Sequence, residues 1–90
     1  MQTMKLLGRN RLRALYGLDD QTDTWMRSWV SELSQANWKV EKDVLRQFPR
    51  ARNVASNVFQ FPVGQHTQCI EVAMIFPQAV VLVVDLKSTN

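Results

Sequence analysis

Three features of this sequence could carry chemistry: one histidine, one cysteine and a pair of carboxylates. His66 could transfer protons near neutral pH, but its position in a glycine-containing loop is more typical of a solvent-exposed residue than of a catalytic one. Cys69 could act as a nucleophile, but it precedes Ile70 in a strand-like run without a neighbouring base, which favours a buried small side chain. Glu71 and Asp85 could pair across adjacent strands. We interpret them as rim or edge charges that discourage association between sheets.

The basic residues are concentrated in the first part of the chain. The protein has a net charge of +3 at neutral pH, and residues 1–55 hold ten of its eleven lysines and arginines against six acidic residues. Residues 56–90 hold one lysine against two acidic residues. This asymmetry indicates a surface for a polyanion or an acidic partner. An ordinary solvent-exposed helical surface would give the same pattern, and charge alone does not separate the two interpretations.

Length and composition exclude several classes of protein. Ninety residues predict a single domain, 1–90, with one modest core. One cysteine and one histidine exclude an internal disulfide framework, a zinc site of several thiolates and a two-histidine site, so we expect neither a metal nor a cofactor. The most apolar stretch, 69–84, is too short and too interrupted to span a bilayer. No secretory leader pattern is recognised, and we expect a cytoplasmic protein without a membrane partner.

One helix stands out in the hydrophobic pattern. Trp25, Trp29 and Leu33 recur every four residues, which predicts an amphipathic helix capped by Thr22 or Asp23. The two tryptophans one turn apart are interpreted as core residues, with a groove for a partner as the alternative.

Shorter elements flank this helix. Residues 4–7 predict either a first strand or the lead-in to a helix that Gly17 ends. A short helix is predicted over 41–48, ended by Pro49, and residues 49–56 are interpreted as a basic connector.

The second part of the chain has the periodicity of strands. Strands are predicted over 57–61, 69–76 and 79–84, and the last reads as buried on both of its faces. Residues 85–90 are expected to form a polar tail. The fold class is therefore α+β, with N-terminal helices packed on a small antiparallel sheet of three or four strands.

The order and spacing of several short motifs resemble one family over almost the whole chain. These motifs are Asn-Trp-Lys at 37–39, Asp-Val at 43–44, Val-Phe-Gln-Phe at 58–61, Gly-Gln at 64–65 and Val-Ala-Met-Ile-Phe at 72–76. Residues 6–12 also resemble the opening of that family. The chain is similar to the HigB-like toxins of the RelE superfamily, which belong to bacterial toxin–antitoxin pairs.

The resemblance implies a function and a set of partners. Members of the family are ribosome-dependent mRNA interferases that present a basic, concave sheet-and-loop surface to mRNA, and a ribose 2′-OH attacks the adjacent phosphate without a metal. The implied partners are mRNA on the ribosome and a helix-turn-helix antitoxin. If the chain is such a toxin, the basic residues that we expect to contact phosphate, through charge and not through base-specific contacts, are Lys39, Lys42, Arg46, Arg50, Arg52 and Lys87.

The sequence departs from the family at the positions that carry catalysis. The last strand of the family usually holds an arginine, followed by a Thr-His-x-x-Tyr segment. In the ungapped alignment Asp85 takes the place of that arginine and Asn90 the place of the histidine. A carboxylate would repel the phosphate that a guanidinium binds. His66 and Asn90 are the remaining catalytic candidates.

Three functions therefore stay open. The chain is either an mRNA interferase, in active or weakened form, or a non-catalytic module that retains the antitoxin interface. Such a module would titrate the antitoxin or act with it as a co-repressor. A third alternative is an unrelated small α+β protein with basic helices facing an acidic partner.

Overall fold

The computed structural model describes residues 3–64 and 68–88, and it contains strands and helices in both parts of the chain. The strands are β1 (Lys5–Leu7), β2 (Arg52–Ala55), β3 (Val58–Pro62), β4 (Gln68–Ile75) and β5 (Val80–Ser88). The α-helices are α1 (Asp20–Gln35) and α2 (Glu41–Gln47), and short 3₁₀ helices cover Arg9–Leu15 and Phe76–Gln78. His66 and Asn90 lie outside the described residues.

The five strands form one mixed sheet in the order β1-β5-β4-β3-β2. Antiparallel pairing of β3 with β4 and of β4 with β5 confirms the predicted meander. The prediction of three or four antiparallel strands was too small, because 49–56 contains β2 and because β1 pairs parallel to β5. The fold is α+β, as predicted.

The helices begin where side chains satisfy free backbone N–H groups. Asp19, not Thr22 or Asp23, caps α1, and its Oδ1 accepts from the Thr22 N–H at 2.7 Å. The helix therefore starts earlier than predicted. Asp43 Oδ2 accepts from the backbone N–H groups of Lys39 at 2.9 Å and Val40 at 3.3 Å, which fixes the start of α2. No helix in the described ranges is long and apolar enough to cross a membrane.

The core lies between the helices and one face of the sheet. The buried residues of this core come from α1, α2, the first 3₁₀ helix and alternate positions of the strands; they include Leu12, Leu15, Met26, Trp29, Leu33, Val44, Phe59, Phe61, Ile70, Val72, Met74, Val81 and Val83. The other face of the sheet, which we call the open face, carries the intervening residues. The prediction that 79–84 is buried on both faces was wrong, because Leu82 and Val84 on the open face are exposed.

A bulge in β5 determines which residues of its second half reach the open face. Val72 pairs with Val83 and Glu71 pairs with Asp85, so Val84 is an extra residue on β5. The strand then continues to Ser88, where a polar tail was predicted. Since alternation resumes one residue later, Asp85 and Lys87 lie on the open face with Glu71 and Cys69, their partners on β4.

Gly8, between β1 and the 3₁₀ helix Arg9–Leu15, has no room for a side chain. Its φ is +81°, and a Cβ placed there would lie 2.9 Å from the carbonyl oxygen of Val83. We expect Gly8→Ala to lower the free energy of unfolding by about 2–3 kcal/mol, since left-handed strain and a backbone clash add. Chemical denaturation followed by far-UV circular dichroism measures the loss.

Gly17 provides the matched control for this substitution. Its φ is +80°, but no atom lies within 4 Å of a Cβ built there. Gly17→Ala therefore tests left-handed strain alone, with an expected loss of about 1 kcal/mol. Equal losses for the two variants would contradict a steric role for Val83.

Candidate functional site

The open face carries a row of four polar side chains that crosses four strands. Arg52 on β2 pairs with Gln60 on β3, Gln60 with Glu71 on β4, and Glu71 with Asp85 on β5. The Arg52 guanidinium donates to Gln60 Oε1 at 3.0 Å, and Gln60 Nε2 donates to Glu71 Oε1 at 3.0 Å. We call these four residues the charge row. It changes from positive at Arg52 to negative at Asp85 across the width of the sheet.

Beside the charge row, two predicted phosphate-binding residues lie close to the same thiol. Lys87 is the cross-strand partner of Cys69, and both Arg52 and Lys87 act electrostatically on the Cys69 sulfur. We call Arg52, Cys69 and Lys87 the basic end of the open face. The structure therefore brings together two basic residues that are 35 positions apart in the sequence.

Cys69 is buried at this end, which confirms its interpretation as a buried small residue. It is 1% exposed, but it belongs to the open face and not to the main core. Burial raises the pKa of the Cys69 thiol, and the nearby Arg52 opposes that effect only in part. The thiol is thus protonated at neutral pH, which makes it a poor nucleophile.

Glu71 and Asp85 are cross-strand neighbours, as the sequence allowed, but they do not lie at an edge. β4 is the central strand of the sheet, and β5 lies between β4 and β1. The interpretation of these residues as edge charges was therefore wrong. Asp85 Oδ2 lies 3.9 Å from Lys87 Nζ, an exposed ion pair of little energetic weight. The position where the resemblance expects an arginine thus adds a second carboxylate to the middle of the open face.

The other predicted phosphate-binding residues belong to α2 and its flanks. Lys39 precedes the helix, while Lys42 and Arg46 lie on it and are exposed. Arg46 is 3.8 Å from Asp43, and the backbone N–H of Lys39, together with Arg46, lowers the pKa of the Asp43 carboxyl. Arg50 lines a different feature, described next. The six residues predicted to bind phosphate therefore lie in different parts of the surface and do not form one cluster.

A cleft of about 190 Å³ separates α1 from the segment that joins α2 to β2. Its lining includes the rings of Trp25, Phe48 and Phe61, with Arg50 and Glu32 as its charged residues. Trp25 stacks on Trp29 at 6.0 Å between ring centroids, and Phe48 meets Phe61 edge-on at 5.2 Å. Trp29 is a core residue, as predicted, while Trp25 is half-buried at the edge of this cleft.

A second basic surface was visible in the sequence but was not assigned to the site. Arg9, Arg11 and Arg13 are all exposed on the first 3₁₀ helix, while Leu12 and Leu15 anchor that helix in the core. None of the three arginines forms an ion pair with an acidic residue in the described part of the chain. The alternation of arginine with other residues over 9–13 was the signal for this surface.

Neither metal chemistry nor relatives add residues to the site. Within residues 3–64 and 68–88, no group of three or more histidine, cysteine, aspartate or glutamate side chains could hold a metal ion. The chain matches no protein-family model, and no curated protein aligns with it significantly. Its candidate site is therefore defined by geometry alone, as the open face with its charge row and its basic end.

Proposed function

We propose that the protein is a cytoplasmic toxin of the HigB type, or a weakened relative, that binds single-stranded mRNA on the ribosome at the open face of its sheet. The observation that carries the proposal is the convergence of Arg52 and Lys87 at the basic end. Arg52 and Lys87 act on the Cys69 thiol from strands on opposite sides of β4, so two cations of one face can contact phosphates of the same RNA strand. Both residues belong to the six basic residues that are predicted from the sequence to contact phosphate.

Glu71 and Asp85 favour the weakened form of this activity. Cleavage by a ribose 2′-OH needs a cation that stabilises the strained phosphate and a group that moves protons. The open face holds Asp85 where the family has its arginine, with the carboxylate of Glu71 opposite it on β4, and both charges destabilise an approaching phosphate. RNA binding without efficient cleavage is the expected behaviour. The assay is ribosome-dependent cleavage of a reporter mRNA, mapped by primer extension.

The alternative function is a non-catalytic module that binds a helix-turn-helix antitoxin. The same carboxylates favour it, and so do the exposed apolar residues Leu7, Ile75 and Leu82 on the open face, because an antitoxin segment could cover them. Co-expression with the product of an adjacent helix-turn-helix gene, followed by size-exclusion chromatography, tests it. Two separate peaks would contradict this alternative.

Neutralising either residue of the basic end should weaken RNA binding. We expect Arg52→Gln and Lys87→Gln each to lower the affinity for a single-stranded RNA 12-mer by about threefold to tenfold. Each should also reduce the slope of log affinity against log salt by about one, because one phosphate contact is lost. Fluorescence anisotropy at nanomolar protein concentration between about 50 and 200 mM salt measures both quantities.

Arg27→Gln is the matched control, because Arg27 is exposed on α1, on the other side of the sheet, and its guanidinium contacts Thr24 at 3.5 Å. It removes the same charge and should leave the affinity and the salt slope unchanged. Equal losses for Arg27→Gln and the two open-face variants would show that RNA senses only net charge, and the proposed site would then be wrong.

A further inference from the structure

The open face combines exposed apolar residues with a charge row that is complementary to itself when reversed. Leu7, Leu82 and Val84 are each 39% exposed, and Ile75 is 42% exposed. Large apolar side chains in contiguous positions of a sheet are typical of a surface that another chain covers. The charge row beside these apolar residues indicates which kind of chain covers the open face.

Four rows of residues cross the open face in register, and one of them, Lys5, Val80 and Ile75, lies furthest from the charge row. The other three rows decide how two copies could face each other. The first is apolar and consists of Leu7, Leu82, Ala73, Val58 and Ala55. The second is the charge row, Asp85, Glu71, Gln60 and Arg52. The third consists of Lys87, Cys69 and Pro62. Each row runs from the β1–β5 side of the sheet to the β3–β2 side.

Arg52 and Asp85 cannot neutralise each other within one chain. They lie three strand spacings apart, which is about 14 Å. Arg52 instead bonds to the neutral Gln60, while Asp85 accepts from the Leu86 backbone N–H at 2.8 Å and forms the long, exposed ion pair with Lys87. Each end of the charge row therefore keeps a charge that a partner surface can use.

We propose that the occupant of the open face is a second copy of this chain, packed face to face about a twofold axis that runs along the strands between β3 and β4. Rotation about this axis reverses every row but keeps its position along the strands. Asp85 of one copy then faces Arg52 of the other, and Glu71 faces Gln60. The apolar rows meet each other over the four strands from β5 to β2, with Ala73 against Val58 and Leu82 against Ala55, while Leu7 on β1 lies beyond the last strand of the other copy.

The same charges favour this axis over its two neighbours, since an axis along β3 would leave Asp85 beyond the last strand of the other copy and without a partner there. A twofold axis along β4 itself would place Glu71 against Glu71 of the other copy, which is unfavourable in a partly desolvated interface. The axis between β3 and β4 places no two like charges of the charge row opposite each other. Packed sheets lie about 10 Å apart, close enough for arginine and aspartate side chains to meet across the interface.

The test is the dimer dissociation constant of the full chain, measured by sedimentation equilibrium. We expect dissociation in the micromolar range, because Ala55 and Ala73 contribute little apolar area to the rows that face each other. Arg52→Glu should weaken the dimer by at least about tenfold, because a carboxylate would then face Asp85. The double variant Arg52→Glu/Asp85→Arg restores the opposite charges and the wild-type net charge. It should dimerise within about threefold of wild type.

Arg13→Glu makes the same change in net charge outside the open face and should leave the dissociation constant unchanged, with far-UV circular dichroism verifying the fold of every variant. Rescue by the double variant supports the proposed axis. A wild-type protein that stays monomeric at about 500 µM would overturn the proposal and leave the face to another occupant. Failure of the double variant to restore dimerisation, or an equal loss in Arg13→Glu, would overturn it as well. RNA and the second copy would compete for the open face, so the proposed RNA binding belongs to the monomer at concentrations below the dimer range. None of these measurements depends on RNA, so the proposed function can fail while the dimer stands.

Discussion

Replacing Trp29 with alanine is expected to lower the free energy of unfolding by about 3–5 kcal/mol. The side chain is 1% exposed, stacks on Trp25 and meets the Phe61 ring edge-on at 5.5 Å between centroids. Its removal leaves a cavity between α1 and the sheet that two other large rings cannot fill without moving. Since a domain of this size is stable by roughly 5–13 kcal/mol, the loss is a large part of the total. Urea denaturation followed by far-UV circular dichroism measures it.

Trp29→Phe is the control that separates ring volume from the indole N–H. The Trp29 Nε1 atom is buried and has no hydrogen-bond acceptor among the described residues. Burial of an unpaired donor costs about 1–3 kcal/mol, so phenylalanine removes this penalty while it loses part of the packing. We expect a net loss below about 1.5 kcal/mol for Trp29→Phe. A similarly small loss for Trp29→Ala would contradict the placement of this ring at the centre of the core.

Replacing Asp85 with arginine is expected to raise the affinity for single-stranded RNA by about tenfold at low salt. The substitution changes the charge beside Lys87 by two units, removes the 3.9 Å ion pair that occupies Lys87, and leaves Glu71 as the one acidic residue of the charge row. A guanidinium at this position also recovers the residue that the family resemblance expects. This expectation rests on the proposed function. Fluorescence anisotropy measures the RNA affinity, at nanomolar protein concentrations where we expect the protein to be monomeric.

Two variants show whether the gain belongs to the site. Asp85→Asn removes the charge without adding a cation, so an intermediate gain of about threefold is expected. Glu32→Arg makes the same change in net charge on α1, which packs on the opposite face of the sheet, and should have little effect. A gain in Glu32→Arg equal to that in Asp85→Arg would contradict binding at the open face.

Local patterns were sufficient for the helices and the central hairpin. The residues of α2 lie within the predicted range 41–48, since Pro49 stops the helix in any context. The spacing of Trp29 and Leu33 placed both in the core, because a helix turns by a fixed angle at each residue. The alternation in β4 separated Ile70 and Val72 from Glu71 for a similar reason.

The edges of the sheet could not be predicted from such patterns. β2 (Arg52–Ala55) is exposed at every residue, so it has no apolar alternation, and its strand conformation depends on pairing with β3. β1 (Lys5–Leu7) has three residues, and its choice between strand and helix is decided by parallel pairing with β5, more than 70 positions away. A short stretch of sequence around β1 or β2 does not show with which strand it will pair.

The amino-acid sequence was enough to predict the fold class, the two main helices, the central antiparallel hairpin and a carboxylate, Asp85, at the position of an expected arginine. The open face of the sheet, and the place of Asp85 on it, become apparent from the folded chain. Strict alternation through Val81 and Val83 would turn Asp85 inward, toward the core. The bulge at Val84 shifts the register by one residue and places Asp85 beside Glu71. Such a bulge depends on the pairing of two strands, and the charge row of four residues from four strands therefore exists only in the folded sheet.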